Sequence, residues 1–247
     1  MNEPEMDLAQ VWERHAAWWQ AEFTGGADVE YEEQILPLAG RLLAGARRVL
    51  DLGCGEGQIA RLVAASGAER VVGVDTSAAQ LAEAARRGGG VAYTRASAGT
   101  LPLAGESFDA VVTCLVLEHL PDLDGPLDEV ARVLRPGGRF VIFINHPLFQ
   151  TPASGWIDDH ILDPPEQYWR IGPYLPESVS IEEVDSGVRL PFFHRPLGRY
   201  VNALAERGLF ITRMVEPAPP PGFLARAPQY VDAATIPRLL LLRAERR

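Results

Sequence analysis

Cysteine is almost absent. Only Cys54 and Cys114 occur among the 247 residues, and with no His/Cys cluster beside either they exclude a disulfide framework and a structural zinc site. Both are expected to be reduced. No long run of lysine or arginine appears, and 33 acidic against 23 basic residues leave a net charge of −10. A chain without a basic face does not neutralise phosphates, which argues against nucleic acid as a partner. No stretch approaches the roughly 20 apolar residues of a membrane span. The opening, Met1 to Leu8, is acidic and has no apolar core, so a cytoplasmic location away from membranes is expected. Internal repeats are missing. His, Asp and Glu occur singly, and Asp158-Asp159-His160 with Asp163 nearby lacks a second cluster, so no metal is expected. What remains is a chain with 47% hydrophobic residues, long enough to bury a core of its own and read as a single domain.

Against these absences stands one glycine-rich turn. Val49-Leu50-Asp51-Leu52 reads as a strand, Gly53-Cys54-Gly55-Glu56-Gly57 as a tight turn and Gln58-Ile59-Ala60 as a helix start. Glycine permits positive φ and close approach of a ligand to the main chain, and a helix start offers free N–H donors. A nucleotide-type ligand is the first expectation. Ahead of the turn, Val11, Trp12, His15, Trp18 and Trp19 fall at helical spacing and make an aromatic face that either docks on the core or covers a ligand. A second helix is expected from about Val29 to Leu43.

Behind the turn, strand and helix alternate. Strands are read at Arg70 to Asp75, Val91 to Arg95, Ala110 to Leu115 and Arg139 to Asn145, with helices at Ile59 to Ala65, Ser77 to Arg87 and Leu127 to Leu134. That rhythm is the mark of a doubly wound parallel sheet. It stops at His146, where a segment rich in proline and aromatic residues runs to about Pro191 and reads as an insert, much of it irregular. A helix to Arg207 and strands at Phe210 to Val215 and Arg238 to Arg243 complete the chain. Asp75 lies about 20 residues beyond the glycine turn, the separation at which a carboxylate meets a ribose bound over the first strand.

Taken together, Asp51-Leu52-Gly53-Cys54-Gly55-Glu56-Gly57, Val74-Asp75, Leu101-Pro102, Phe108-Asp109, Leu117-Glu118-His119 and Leu134-Arg135-Pro136-Gly137-Gly138 resemble the class I S-adenosylmethionine-dependent methyltransferases, and within them the small-molecule branch called type 11. The resemblance covers residues 45 to 145. It implies a Rossmann-like, seven-stranded, mostly parallel α/β sheet with an antiparallel last strand. Residues 1–44 would be a helical lid, 45–146 the cofactor core, 147–194 a substrate cap and 195–247 the completion of the sheet. The cofactor would be S-adenosylmethionine, leaving as S-adenosylhomocysteine. The contacting set it implies is Asp51, Gly53, Cys54, Gly55, Gly57, Asp75, Thr76, Ser97, Ala98 and Cys114, with Asp75 on the ribose hydroxyls and Asp51 orienting the amino group. Ser97-Ala98 stands where the family commonly has Asp-Ala, so the adenine contact loses its usual carboxylate.

Methyl transfer to oxygen or nitrogen needs alignment, dryness and, for a protonated nucleophile, a base. In an open α/β sheet these lie beyond the C-terminal strand ends, which here nominates His119, His146 and Glu118, with the simpler alternative that they only cap turns. Trp19, Trp156, Tyr168, Trp169, Tyr174 and His194 are the candidate walls of an aromatic or otherwise apolar acceptor pocket, and a minicore of the insert is the competing use of those aromatics. A small-molecule acceptor and a monomer or homodimer are expected. Two other functions compete: an NAD-dependent oxidoreductase, disfavoured because the pattern is GxGxG rather than GxGxxG, and a silent binding protein that keeps the pocket without the chemistry.

Overall fold

The computed structural model describes residues 7–226, 228 and 232–247; the acidic opening, residues 1–6, falls outside them. The first strand β1 (Arg48–Leu52) is followed by α3 (Gln58–Ala65), β2 (Arg70–Asp75), α4 (Ala78–Arg87), β3 (Ala92–Arg95), β4 (Phe108–Cys114), α5 (Asp124–Val133) and β5 (Leu134–Asn145). Before them come α1 (Leu8–Phe23) and α2 (Leu36–Leu43). After them come hairpins β6 (Gly155–Asp159) with β7 (Glu166–Arg170) and β8 (Ser178–Asp185) with β9 (Val188–His194), then α6 (Leu197–Glu206), β10 (Leu209–Val215), α7 (Pro221–Arg226) and β11 (Leu239–Arg246). Seven strands form one sheet in the order β10-β11-β5-β4-β1-β2-β3. β1 pairs in parallel with β2 and β4, setting Leu50 beside Val72 and Val111, whereas β11 runs antiparallel to both β5 and β10. The sheet is therefore mostly parallel, with the antiparallel strand the family resemblance implies.

Both faces of the sheet are covered, which is why its central strands carry apolar residues at nearly every position. Leu50, Val72, Val111, Phe140 and Ile142 pack with α5 and α6 through Leu127, Val130 and Leu204. Their neighbours Val49, Val71, Val112, Val141 and Phe143 point the other way, onto Ile59 and Val63 of α3 and Leu42 and Leu43 of α2. Local signals start the helices where the packing needs them. Ser77 Oγ accepts the Gln80 N–H at 3.1 Å and so caps α4, and Asp7 does the same for α1.

Three expectations change. The second helix begins as a π-helical stretch, Tyr31–Ile35, before α2. β5 starts at Leu134, because Leu134 already pairs with Phe108, and a register shift then absorbs the Pro136-Gly137-Gly138 stop. The insert is not irregular: it consists of two antiparallel hairpins, with Trp156 opposite Trp169 and Phe192 opposite Ser180. Among the described residues no helix is long and apolar enough to cross a membrane, and no group of three or more His, Cys, Asp or Glu side chains is placed to hold a metal.

Candidate active site

The glycine turn is shaped by what stands against each glycine. Gly53 has φ +74°, its N–H donates to Val74 O at 2.8 Å, and a Cβ there would overlap the Val116 side chain. At Gly57, which precedes α3 at φ +84°, a Cβ would overlap the Tyr93 hydroxyl. Gly55 differs, since beyond it only Trp19 Nε1 at 3.7 Å comes within reach and the space is open to a cavity. Gly55 shares the positive φ, at +53°, but not the overlap, so Gly53→Ala is expected to destabilise the fold by about 1–3 kcal/mol through strain plus the clash with Val116, and Gly55→Ala to destabilise it less and to lower ligand affinity. Urea denaturation and cofactor titration of the two variants separate these effects.

The cavity above the turn holds about 630 Å³, well within the range of ligand sites. Asp51, Gly53, Cys54, Gly55, Asp75, Thr76, Ser97, Ala98 and Cys114 line it, as do Trp19 and His119. Gly57 is absent from the lining, being turned against Tyr93. Carboxylates dominate the polar wall. Asp75 accepts the Gly55 N–H at 2.9 Å and the Ser77 N–H at 2.8 Å. Asp51 is 2% exposed and accepts the Ala60 N–H at 2.9 Å. Burial raises its pKa to about 7, with Glu56 and Asp75 adding repulsion. Glu56 is also buried and raised, and its Oε1 makes no hydrogen bond, with Arg61 Nη2 3.8 Å away. From α1, Glu13 accepts from Ser77 Oγ at 2.7 Å and from Ala79 N at 3.2 Å, which ties the aromatic helix across this end.

A smaller cavity of about 250 Å³ adjoins the first, and Trp19, Tyr31, Leu115 and His119 line both. His119 is buried between Trp12 and Phe192, with ring centroids 5.0 and 4.6 Å away. Its Nδ1 lies 2.8 Å from Pro191 O. A carbonyl only accepts, so Nδ1 carries the proton and Nε2 keeps a lone pair. Burial lowers this pKa to about 4, so the ring is neutral at ordinary pH. The strand end is itself braced: Arg195, 4% exposed, donates to the carbonyls of Leu117, Leu120 and Pro121 around His119.

The other nominated residues are brought elsewhere. His146 lines neither cavity. Its Nδ1 accepts the Leu148 N–H at 3.1 Å and its Nε2 donates to Glu216 Oε1 at 2.8 Å, so both ring nitrogens anchor a loop. Glu118 is buried behind the wall, with Oε1 accepting from Asn145 N at 3.0 Å, Oε2 unpartnered and its pKa raised by burial to about 7. Trp169 stacks on Phe149 at 4.5 Å and meets Trp156 edge-on at 5.6 Å. These two, the half-exposed Tyr168 and Tyr174 line neither cavity: the β6–β7 hairpin packs its tryptophans on each other and on Phe149. His194 Nε2 donates to Tyr174 O at 2.7 Å, while the Tyr174 hydroxyl accepts the Leu197 N–H at 2.8 Å, fixing the start of α6. Sequence reasoning missed Tyr31, whose hydroxyl lies 3.6 Å from Cys114 Sγ, and Trp12 as a cavity wall.

Residues 50–142 match the family model described as Methyltransferase domain. Ubiquinone biosynthesis O-methyltransferase of Sinorhizobium fredii is 41% identical over 120 residues, 47% of this chain and 48% of that protein. The protein of that name from Agrobacterium fabrum is 35% identical over 180 residues, 69% of each. A crystal structure of an S-adenosylmethionine dependent methyltransferase from Mesorhizobium loti superposes with a TM-score of 0.73 at 31% identity, covering 85% of this chain and 96% of that one. The chain belongs to the S-adenosylmethionine-dependent methyltransferases. Several of the curated relatives are matched over about half their length.

Membership of the methyltransferases removes the NAD-dependent reading, and the cavity fits the methyltransferase cofactor on its own terms. S-adenosylmethionine carries a sulfonium and an ammonium against one carboxylate, which leaves it net positive. Asp51, Glu56 and Asp75 line the same space, and a buried carboxylate is stabilised as its anion by a cation.

Proposed function

We propose that this methyltransferase methylates a hydroxyl oxygen of a small, largely aromatic molecule. One observation carries the reading: His119, held as a neutral acceptor by Pro191, stands in the shared wall of the large and small cavities. The large cavity is assigned to the cofactor. There Asp75 accepts from the ribose hydroxyls, Asp51 and Glu56 face the positive charges, and Ser97 with the Ala98 main chain meets the adenine. The small cavity is assigned to the acceptor, with Trp19 against its ring. Residues 1–44 act as a lid, and of the 147–194 cap it is the β8–β9 hairpin that reaches the site, through Leu190 and Phe192 beside Trp18 and Trp12.

S-adenosylmethionine supplies the activated methyl group, so the chain has to align the acceptor, exclude water and receive one proton. His119 Nε2 is the atom assigned to that proton. A pKa of about 4 makes it a weak base towards a free phenol. The proton departs as the oxygen becomes alkylated, however, and an alkylated oxygen is acidic enough for a weak base to suffice. The names of the relatives, O-methyltransferases among them, support oxygen as the acceptor atom. The test is incubation of the purified chain with S-adenosylmethionine and a panel of phenols, measuring S-adenosylhomocysteine and the mass gain of the acceptor. Tight cofactor binding with neither product would favour the silent binding protein instead.

A further inference from the structure

The small cavity is more selective than its apolar walls suggest. Trp18, Phe23, Ile35, Leu190 and Phe192 give it room for one ring, and at about 250 Å³ it falls below the range of drug-sized sites. Its charged groups are Asp28, Glu30 and Arg238. Arg238 and Glu30 form a two-point pair, Nε to Oε1 at 3.2 Å and Nη2 to Oε2 at 3.3 Å. The guanidinium is also covered by two rings, 4.0 Å from the Phe223 centroid and 4.6 Å from that of Phe149. Its charge is therefore already matched. Asp28 is different: Oδ1 accepts the Tyr31 N–H at 2.8 Å, and Oδ2 has no partner among the described residues.

We infer that the acceptor is a single-ring phenol carrying a protonated amine on a short arm, and that Asp28 selects it. This rests on the methyl-transfer reading above and supplies the acceptor class that reading leaves open. Three observations meet here. Two carboxylates against one guanidinium leave the cavity with an excess negative charge, and the neutral His119 does not offset it. An acceptor carboxylate would have to displace Glu30 and lie near Asp28, whereas an ammonium displaces nothing and gains Oδ2, with the Trp18 and Phe23 rings in the same wall. Tyr31 sets the span, because its main-chain N–H bonds Asp28 while its hydroxyl lies 3.6 Å from Cys114 at the junction with the cofactor cavity. A tyrosine's own length thus separates Asp28 from the junction, the separation of hydroxyl and nitrogen in a phenol with a two-carbon amine arm.

The probes are tyramine, 4-ethylphenol and 4-hydroxyphenylacetate, alike in ring and differing in charge. Each is titrated calorimetrically into the S-adenosylhomocysteine-loaded protein at neutral pH. Tyramine is expected to bind about tenfold more tightly than 4-ethylphenol, and the carboxylate most weakly, as one charge-assisted hydrogen bond would give. In Asp28→Asn, which keeps an oxygen for the Tyr31 N–H, the tyramine advantage is expected to shrink to about twofold or less. Equal or tighter binding of 4-hydroxyphenylacetate, or an unchanged ratio in Asp28→Asn, overturns the inference. Turnover of the same probes with S-adenosylmethionine reports separately on methyl transfer: methylation without amine preference sinks only the acceptor class, and amine-selective binding without any methylation sinks only the reaction.

Discussion

Replacing His119 with alanine is expected to lower kcat by about 10²–10⁴-fold while leaving the Kd for S-adenosylhomocysteine within about threefold, the pattern of a lost proton acceptor rather than a lost binding wall. His119→Gln, whose amide oxygen accepts a hydrogen bond but not a proton, should stay close to the alanine rate, and recovery by glutamine would mean that the ring only positions the hydroxyl. The pH profile discriminates further. A free histidine titrates near 6.5, but burial has lowered this one to about 4. With both substrates saturating, kcat should show no inflection near pH 6.5 that disappears in His119→Ala. Such an inflection would mean that burial does not keep the ring neutral in the working range. His146→Ala makes the contrast: it breaks the Glu216 and Leu148 hydrogen bonds, so a fall in thermal stability is expected with a much smaller fall in kcat. A larger kcat loss for His146→Ala than for His119→Ala would reverse the assignment.

The contrast between these two histidines shows how far the chain could be read in one dimension. The sheet was readable because Val71 to Val74 and Ala110 to Cys114 are apolar on both faces, as a strand covered on both sides must be, and because Gly53 to Gly57 breaks the run where the first helix begins. That Asp51, Asp75 and the Ser97-Ala98 pair would line one cavity was readable for the same reason, since strand ends in this topology open on one crevice. The insert was not. β8 alternates at Val179 and Ile181, and Ser186-Gly187 supplies the hairpin turn, but the surrounding prolines hid a signal that was present. Trp156 and Trp169 could not be told from pocket aromatics because periodicity says nothing about what a face packs against. Glu118 and His119 are adjacent, yet the short 3-10 turn from Leu117 to His119 sends one carboxylate to the Asn145 main chain and the neighbouring ring to Pro191. Tyr31 became a wall of both cavities through a π-helical stretch whose register no helical pattern anticipates.

Cofactor affinity should depend steeply on pH, and Asp51 is the group responsible. Burial holds its pKa up at about 7 in the free protein, with Glu56 and Asp75 contributing in the same direction. A ligand bearing an ammonium and a sulfonium favours the anion, so binding draws Asp51 into its ionised form and releases a proton below pH 7. The sign follows from that release. Affinity for S-adenosylmethionine rises as pH rises through about 7 and levels off above it. Two units below a pKa of about 7, roughly one molecule in a hundred carries the carboxylate, so at pH 5 affinity is expected to be about 10²-fold below its plateau. Calorimetry at pH 6 in buffers of different ionisation enthalpy should show close to one proton released per cofactor bound. Asp51→Asn keeps an acceptor for the Ala60 N–H but cannot ionise, so its affinity should be low and nearly flat from pH 5 to pH 8. If Asp51→Asn instead retained the slope of the unmodified chain, the titrating group would be Glu56 or Asp75, whose pKa values are also raised by burial, and whichever of Glu56→Gln and Asp75→Asn flattens the slope would identify it. The size of the effect comes from placing three carboxylates in one apolar-walled cavity: each is costly as an anion while the cavity is empty, and that cost is relieved when a cation arrives.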